Sequence, residues 1–434
     1  TVDRGLVRPL FPTADSDALF DWLRGPSFLY ELPDGLCPHD LVRDALEGEL
    51  RRIDPDAYAV LHHEIRAHLL ARRDRLGGAA AAAQGIVFLH RNSSLMSSQW
   101  DWATSGAVEA SGLRPDDLAD LEAITLLRND ESEVPILHHW IERQPEAFTV
   151  VRSPTGEVRG FLADLLLDAP TDEDLAIDPT IAAVWAHASR NDPPRPGQVV
   201  GVHRYFEDRD HGQGPSVTFN VVSWSNMQQW ISVPALSWSY IAMVRDPDLW
   251  GPMMSYIDFH PVRDATHDVG GVAHHVYCHD WRRIDANRWL DLMEARELGG
   301  AISPSPSPPV LVALARNDFD RAVKAALRDL ARPDLLAANP LTRSRLVRDR
   351  AADDSPTGLD AVLRAALEAL PDDPRTAKAR SALDRTYFHG TVTQEAAAEV
   401  LDKAFSTYRR HLQAGTSLIT DILWRWELFG SAPE

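Results

Sequence analysis

The residues best suited to chemistry form a glycine-rich turn. Arg209-Asp210-His211-Gly212-Gln213-Gly214 follows the strand-like run VVGVHRYF and precedes a helix-like run opening with Pro215 and Ser216. Glycines at the third and fifth positions after Arg209 let a ligand come close to the backbone. The unpaired N–H groups at a helix start suit a phosphate. Proline is favoured in a first helical turn, although Pro215 removes one N–H that a phosphate would use. Glu207, Asp208 and Asp210 surround the turn with negative charge, which opposes an anion. An ordinary acidic loop is the competing reading.

Two further constellations stand out. HHVYCHDW at 274–281 is a strand-like run. Its alternation sets His274, Val276, Cys278 and Asp280 on one face and His275, Tyr277 and His279 on the other. No paired C-x-x-C accompanies it, so a closing strand is expected and no metal. The segment TQEAAAEVLDKAFSTYRRHL near the C-terminus reads as two helices. Thr393 is placed to cap the first, and the second begins at Ser406 or Thr407 and carries Tyr408, Arg409 and Arg410. No P-loop and no G-x-S-x-G nucleophile elbow occurs anywhere.

These segments sit in a chain of 434 residues with 44 basic and 64 acidic side chains, a formal charge of −20. That balance argues against a general polyanion binder and leaves room only for a small local DNA-reading element. Two cysteines, Cys37 and Cys278, exclude a disulfide framework and point to a reducing cytoplasm. No apolar run is long enough for a membrane span.

The pattern of elements predicts an α+β multidomain protein. Residues 1–103 read as a mainly helical module with a short hairpin around Pro33-Asp34-Gly35. Residues 104–300 alternate strand-like and helix-like segments, so an α/β domain with a mixed sheet is expected. SPSPSPP within 301–309 reads as an extended linker. Residues 310–434 read as helical.

Over 104–285 the order of segments resembles the GNAT acyltransferase fold. That resemblance implies acyl-CoA as co-substrate, held at Arg209, Gly212, Gly214, Ser216 and Val217. It also implies Glu207 as general base and Tyr256, in WGPMMSYIDF, as general acid, with an amine of a small molecule or protein as acceptor. Helix–hairpin–helix near the start resembles a winged helix. The C-terminal pair resembles a helix-turn-helix, with Ser406, Tyr408, Arg409 and Arg410 facing DNA and Asp402 where a turn glycine is usual. Taken whole, the strings ALFDWLRGPSF, FLHRNSS, RQPEAFTVVR, NPLTRSRLV and FSTYRRHL resemble the C-terminal half of bacterial ATP-binding regulators of the STAND/AAA type, without their NTPase domain. The resemblance implies two functions: a cytoplasmic acyltransferase, or a regulator with a vestigial acyltransferase-like sensor. An acyltransferase scaffold turned to other chemistry is the third.

Overall fold

The computed structural model describes residues 2–11, 15–32, 35–75, 78–93, 96–100, 108–244, 246–299, 314–350, 356–389 and 393–429. The N-terminal part opens with α1 (Arg4–Leu10) and α2 (Ser16–Leu23), and the hairpin β1 (Leu29–Leu32) and β2 (Gly35–Pro38) follows. Next come α3 (Asp40–Ile53), α4 (Pro55–Arg72) and α5 (Gly78–Leu89). Local chemistry sets these ends. Asp15 accepts from the amides of Asp17 and Ala18, and Asp54 caps α4 with Pro55 at its first position.

Among the described residues, fifteen strands and α-helices lie between 104 and 300. They are β3 (Glu109–Gly112), α6 (Leu118–Thr125), α7 (Glu133–Arg143), β4 (Phe148–Arg152), β5 (Val158–Leu167), α8 (Asp172–Ile177) and α9 (Pro179–Asn191), then β6 (Val199–Asp208), α10 (Val217–Ser232), β7 (Leu236–Met243), α11 (Pro247–Tyr256), β8 (His260–Pro261), β9 (His267–Val269), β10 (Val272–Asp280) and α12 (Ala286–Glu297). The sheet order is β3-β4-β5-β6-β7-β10-β8, with β9 on β10. All pairs are antiparallel except β6 with β7, so the sheet is mixed.

Two irregularities shape the middle of the sheet. The parallel ladder between β6 and β7 ends at His203–Ile241, while β6 runs on to Asp208. In the β5–β6 ladder, Ala163 faces Tyr205 but Asp164 faces His203, leaving Arg204 as an extra residue. Such a bulge re-aims the side chains on either side of it. His203 and Phe206 therefore share one face despite their odd spacing, and Arg204 and Tyr205 both reach Glu133 on the other.

The expected boundary at 103/104 is not a boundary of packing. Residues 1–183 and 199–305 form one compact unit. The alanine run is the reason: Ala82, Ala83, Ile86 and Val87 of α5 lie in the same apolar cluster as Phe219, Val222 and Met227 of α10. Small side chains allow two helices to approach closely, and the helix has no core of its own to bury into.

The second unit comprises residues 184–198 and 306–434. The linker expected at 301–309 lies outside the described residues. The helices are α13 (Arg316–Arg328), α14 (Pro333–Ala337), α15 (Arg345–Arg350), α16 (Pro356–Glu368), α17 (Pro374–Leu383), α18 (Gln394–Val400) and α19 (Phe405–Phe429). Thr393 caps α18 as expected, accepting from the Ala396 amide. Asp402 takes φ +50°, so an aspartate supplies the left-handed turn usually made by glycine. Ser406, Arg409 and Arg410 are exposed on α19. Tyr408 is not available to DNA. It is 1% exposed, donates to the Ala382 carbonyl at 3.2 Å and shares a hydrogen bond with Thr386. The reason is helical geometry: α19 turns the face carrying Tyr408, Leu412 and Ile419 to the core. Among the described residues no helix is long and apolar enough to cross a membrane.

Candidate functional site

A cavity opens in the first unit on the α10 face of the sheet, with about 690 Å³ of empty space including its mouth. Its walls come from α5, β6, α10, β7, α11, α12 and residues 96–100. Met96, Met227, Met243, Met253, Met254 and Met293 all line it. They are the only six methionines in the chain, and each is buried. Four tryptophans complete the apolar wall: Trp100, Trp230, Trp250 and Trp289. Methionine is flexible and polarizable, and its sulfur packs well against aromatic rings. A wall of this composition adapts to an apolar or aromatic ligand of varied shape.

Few polar groups reach this cavity, and several of them are unsatisfied. His203 lines it from β6 and is 4% exposed. Its Nδ1 makes a very short hydrogen bond to Asp164 on β5, and Ser225 Oγ donates to the other Asp164 oxygen at 2.5 Å. Its Nε2 is buried without a hydrogen-bond partner. His90, at the end of α5, has neither ring nitrogen bonded. Burial, with the charges of His62 and Arg66 adding to it, pushes His90 down to about 3, so its ring is neutral. The indole N–H of Trp250 is likewise buried and unpaired. Buried polar atoms are normally paired, so such groups on one cavity wall mark where a ligand's own polar atoms fit.

Of the residues expected to act, Tyr256 alone lines this cavity. It closes α11, and its hydroxyl is buried beside Ser93, with burial raising its pKa. Glu207 lies on the opposite face of β6. Its neighbours on the strand point to α10: Phe206 packs on Phe219, and Asp208 bonds Thr218. Glu207 instead accepts from Asn129 at 3.0 Å, and its Oε2 has no partner. Burial raises its carboxyl to about 8 against the pull of Asn129 and Arg128. The structure therefore separates Glu207 from Tyr256 by the sheet.

The glycine-rich turn is filled from within. Asp208 Oδ1 accepts from the amides of Asp210 at 3.0 Å and His211 at 2.9 Å, and its Oδ2 accepts from Thr218 Oγ1 at 2.6 Å. The Gly212 amide donates to the Asp208 carbonyl and the Gly214 amide to the His211 carbonyl. Arg128 covers the outside, donating to the carbonyls of Asp208 and Asp210 at 3.2 and 3.0 Å. Gly212 takes φ +58°, and a Cβ there would run into the Arg128 guanidinium. Arg209 is committed to Asp120 at 2.6 Å and to the Val158 carbonyl. At the helix head, Ser216 caps α10 through the Phe219 amide, and Val217 is half-buried as its first residue. The amides of Asp210 and His211 are held by the Asp208 carboxylate and those of Gly212 and Gly214 by backbone carbonyls, and an anion in the turn would face Asp208. The turn around Gly212 and Gly214 thus spends four of its own amides internally.

Strand β10 sits inside the sheet. Among the described residues no group of three or more His, Cys, Asp or Glu side chains is placed to hold a metal ion. His274 lies 3.1 Å from Glu133 instead, and His279 bonds the carbonyls of Asp258 and Ile284.

No family model matches the chain, and no curated protein does. Among solved structures, the chain is similar to Naa20 of Chaetomium thermophilum in complex with a bisubstrate analogue, at 12% identity. The match covers 42% of this chain and 90% of that one, with a TM-score of 0.29. A GNAT-family acetyltransferase from Listeria monocytogenes 4b F2365 is similar at 12% identity, covering 40% of this chain and 94% of its own, with a TM-score of 0.26.

Sequence reasoning missed His203, Asp164 and the methionine wall. One signal was visible: all six methionines fall between positions 96 and 293, and none in the C-terminal helical part. The pairing of Asp164 with His203 had no such signal, because it depends on a bulge.

Proposed function

We propose that the first unit binds a small, largely apolar organic molecule in the methionine- and tryptophan-lined cavity, on a scaffold with the element order of an acyltransferase. Its role is that of a ligand-binding or sensor domain. The observation that carries this reading is the convergence of every methionine in the chain on one cavity wall. Ligand sites are typically apolar clefts with a few well-placed polar groups, and this cavity has that composition.

The test is fluorescence titration with N-phenyl-1-naphthylamine, an apolar probe that brightens in dry surroundings. Saturable binding is expected, with loss on Val222→Trp, which fills the cavity from α10. Absence of saturable binding would reject the reading. Acetyl-CoA is the comparison arm. A CoA ligand at a hundred times its Kd would add about 2.7 kcal/mol of stability by linkage. No thermal shift with acetyl-CoA is expected, because Asp208 occupies the turn.

A second reading keeps acyl transfer to an amine, with Glu207 as proton acceptor. The observation favouring it is the Glu207 carboxyl itself, which is buried, raised to about 8 and bare on one oxygen. A base poised near neutral pH suits an ammonium substrate. A thermal shift with acetyl-CoA that survives Val222→Trp would favour this reading over the first.

A further inference from the structure

His203 is the point in the cavity where chemistry and shape meet. The ring stands on β6 immediately before the bulge, and the bulge is what turns it to the cavity face. A carboxylate accepts only, so Asp164 accepts a hydrogen bond from Nδ1–H. In a neutral imidazole that bond places the proton on Nδ1 and leaves Nε2, which is buried without a partner, as the acceptor. Ser225 Oγ donates to the second Asp164 oxygen, so the carboxylate cannot turn away from the ring without losing that bond. Phe206 of β6 and Ile241 and Met243 of β7 line the cavity with His203, while Ser223, Asn226 and Tyr256 are the other polar side chains of its lining besides His90. A buried acceptor without a partner carries the full cost of its desolvation, and this cost falls when a ligand supplies a donor.

Resting on the cavity reading above, we infer that the site selects hydroxylated apolar molecules of the phenol class, whose O–H donates to His203 Nε2. His203 is the residue that decides specificity, and Asp164 is a positioning residue acting through it. The neutral His90 ring and the Trp250 indole N–H offer donors to the ligand's oxygen, but these would serve a hydroxyl and an ether alike. The discrimination between hydroxyl and ether therefore lies with the acceptor.

The experiment is calorimetric titration of the full chain with 1-naphthol, 1-methoxynaphthalene and naphthalene, the last as a size control. The three share one apolar body, and only 1-naphthol has a donor. Pairing a buried acceptor predicts that 1-naphthol binds roughly five- to a hundred-fold tighter than the other two. His203→Leu should erase the preference while leaving naphthalene binding in place. His90→Leu should keep it. Asp164→Asn should weaken it, because an amide can donate to Nδ1 and move the ring proton to Nε2. Nitrogen-15 spectra of the imidazole report that tautomer directly: Nδ1–H in the wild type, a shift towards Nε2–H in Asp164→Asn. Equal affinity for all three probes in the wild type overturns the inference and leaves the cavity reading intact. So does a preference that survives His203→Leu. If none of the three binds, the cavity reading falls and the inference falls with it.

Discussion

Replacing Arg204 by methionine tests whether the face of the sheet opposite the cavity holds the β6 bulge in place. Arg204 Nε donates to Asp178 at 2.8 Å, and its Nη2 donates to both Glu133 oxygens at 3.1 and 2.9 Å. Tyr205 Oη adds a bond to Glu133 at 2.9 Å, and Trp140 Nε1 one to Asp178 at 2.8 Å. All five residues are buried. Methionine keeps most of the volume but takes the guanidinium away from two buried carboxylates. Breaking a buried pair from one side costs about 3–5 kcal/mol. The pH dependence is the sharper readout. Burial alone would raise the Glu133 carboxyl, but Arg204, His274 and Tyr205 overcome it and hold it at about 2, below its ordinary 4.5. A carboxylate depressed in this way contributes stability above the unfolded pKa, here about 3 kcal/mol, and loses it as pH falls from about 4.5 through 2. In Arg204→Met only His274 and Tyr205 still oppose burial, so the carboxyl rises and the variant loses much of the stability that the wild type gains as pH rises above 4.5. The gap between the two proteins should widen from pH 3 to pH 7 in urea denaturation followed by tryptophan fluorescence. A gap below about 1 kcal/mol, or one independent of pH, would refute the argument.

Other outcomes follow from the same geometry. Glu207 has a folded pKa near 8, above its ordinary value, so the native state loses stability as pH rises from about 4.5 to 8. Glu207→Gln should remove that slope and unfold at higher urea than wild type at pH 8, by roughly 2–4 kcal/mol; an unchanged slope would place the titration elsewhere. Asp402 holds φ +50°, so Asp402→Gly should be neutral or stabilising by up to about 1 kcal/mol, while Asp402→Val should cost about as much or more. Thermal unfolding of the second unit reads both, and a destabilised glycine variant would contradict the strain. Arg409 and Arg410 are exposed and outside the core. If α19 reads DNA, their joint change to alanine should leave unfolding unaltered and abolish duplex retention that falls with salt. Equal retention with and without them would detach this helix from nucleic acid.

What the amino-acid order determined by itself is local. The turn at 209–214, Thr393 as a cap and the order of segments between 104 and 285 rest on dihedral preference, capping and periodicity over a few residues. The presence of a glycine-rich turn was therefore legible. Its occupancy was not, because Asp208 closes it only when β6 delivers that carboxylate beneath its own following amides and Arg128 arrives from α6's far end. Tyr408 looked like a reading residue in a one-dimensional pattern and became core once α17 packed beside α19. The site shows the same division. Six methionines are scattered over nearly two hundred positions, and only the packing of α5, α10, α11 and α12 on one sheet face gathers them. One unpaired residue in β6 sets His203 against Asp164, since a shift of a single residue exchanges the two faces of a strand. Such pairings join residues far apart in the chain, so their free energy resides in the assembled sheet and has no counterpart in any short segment.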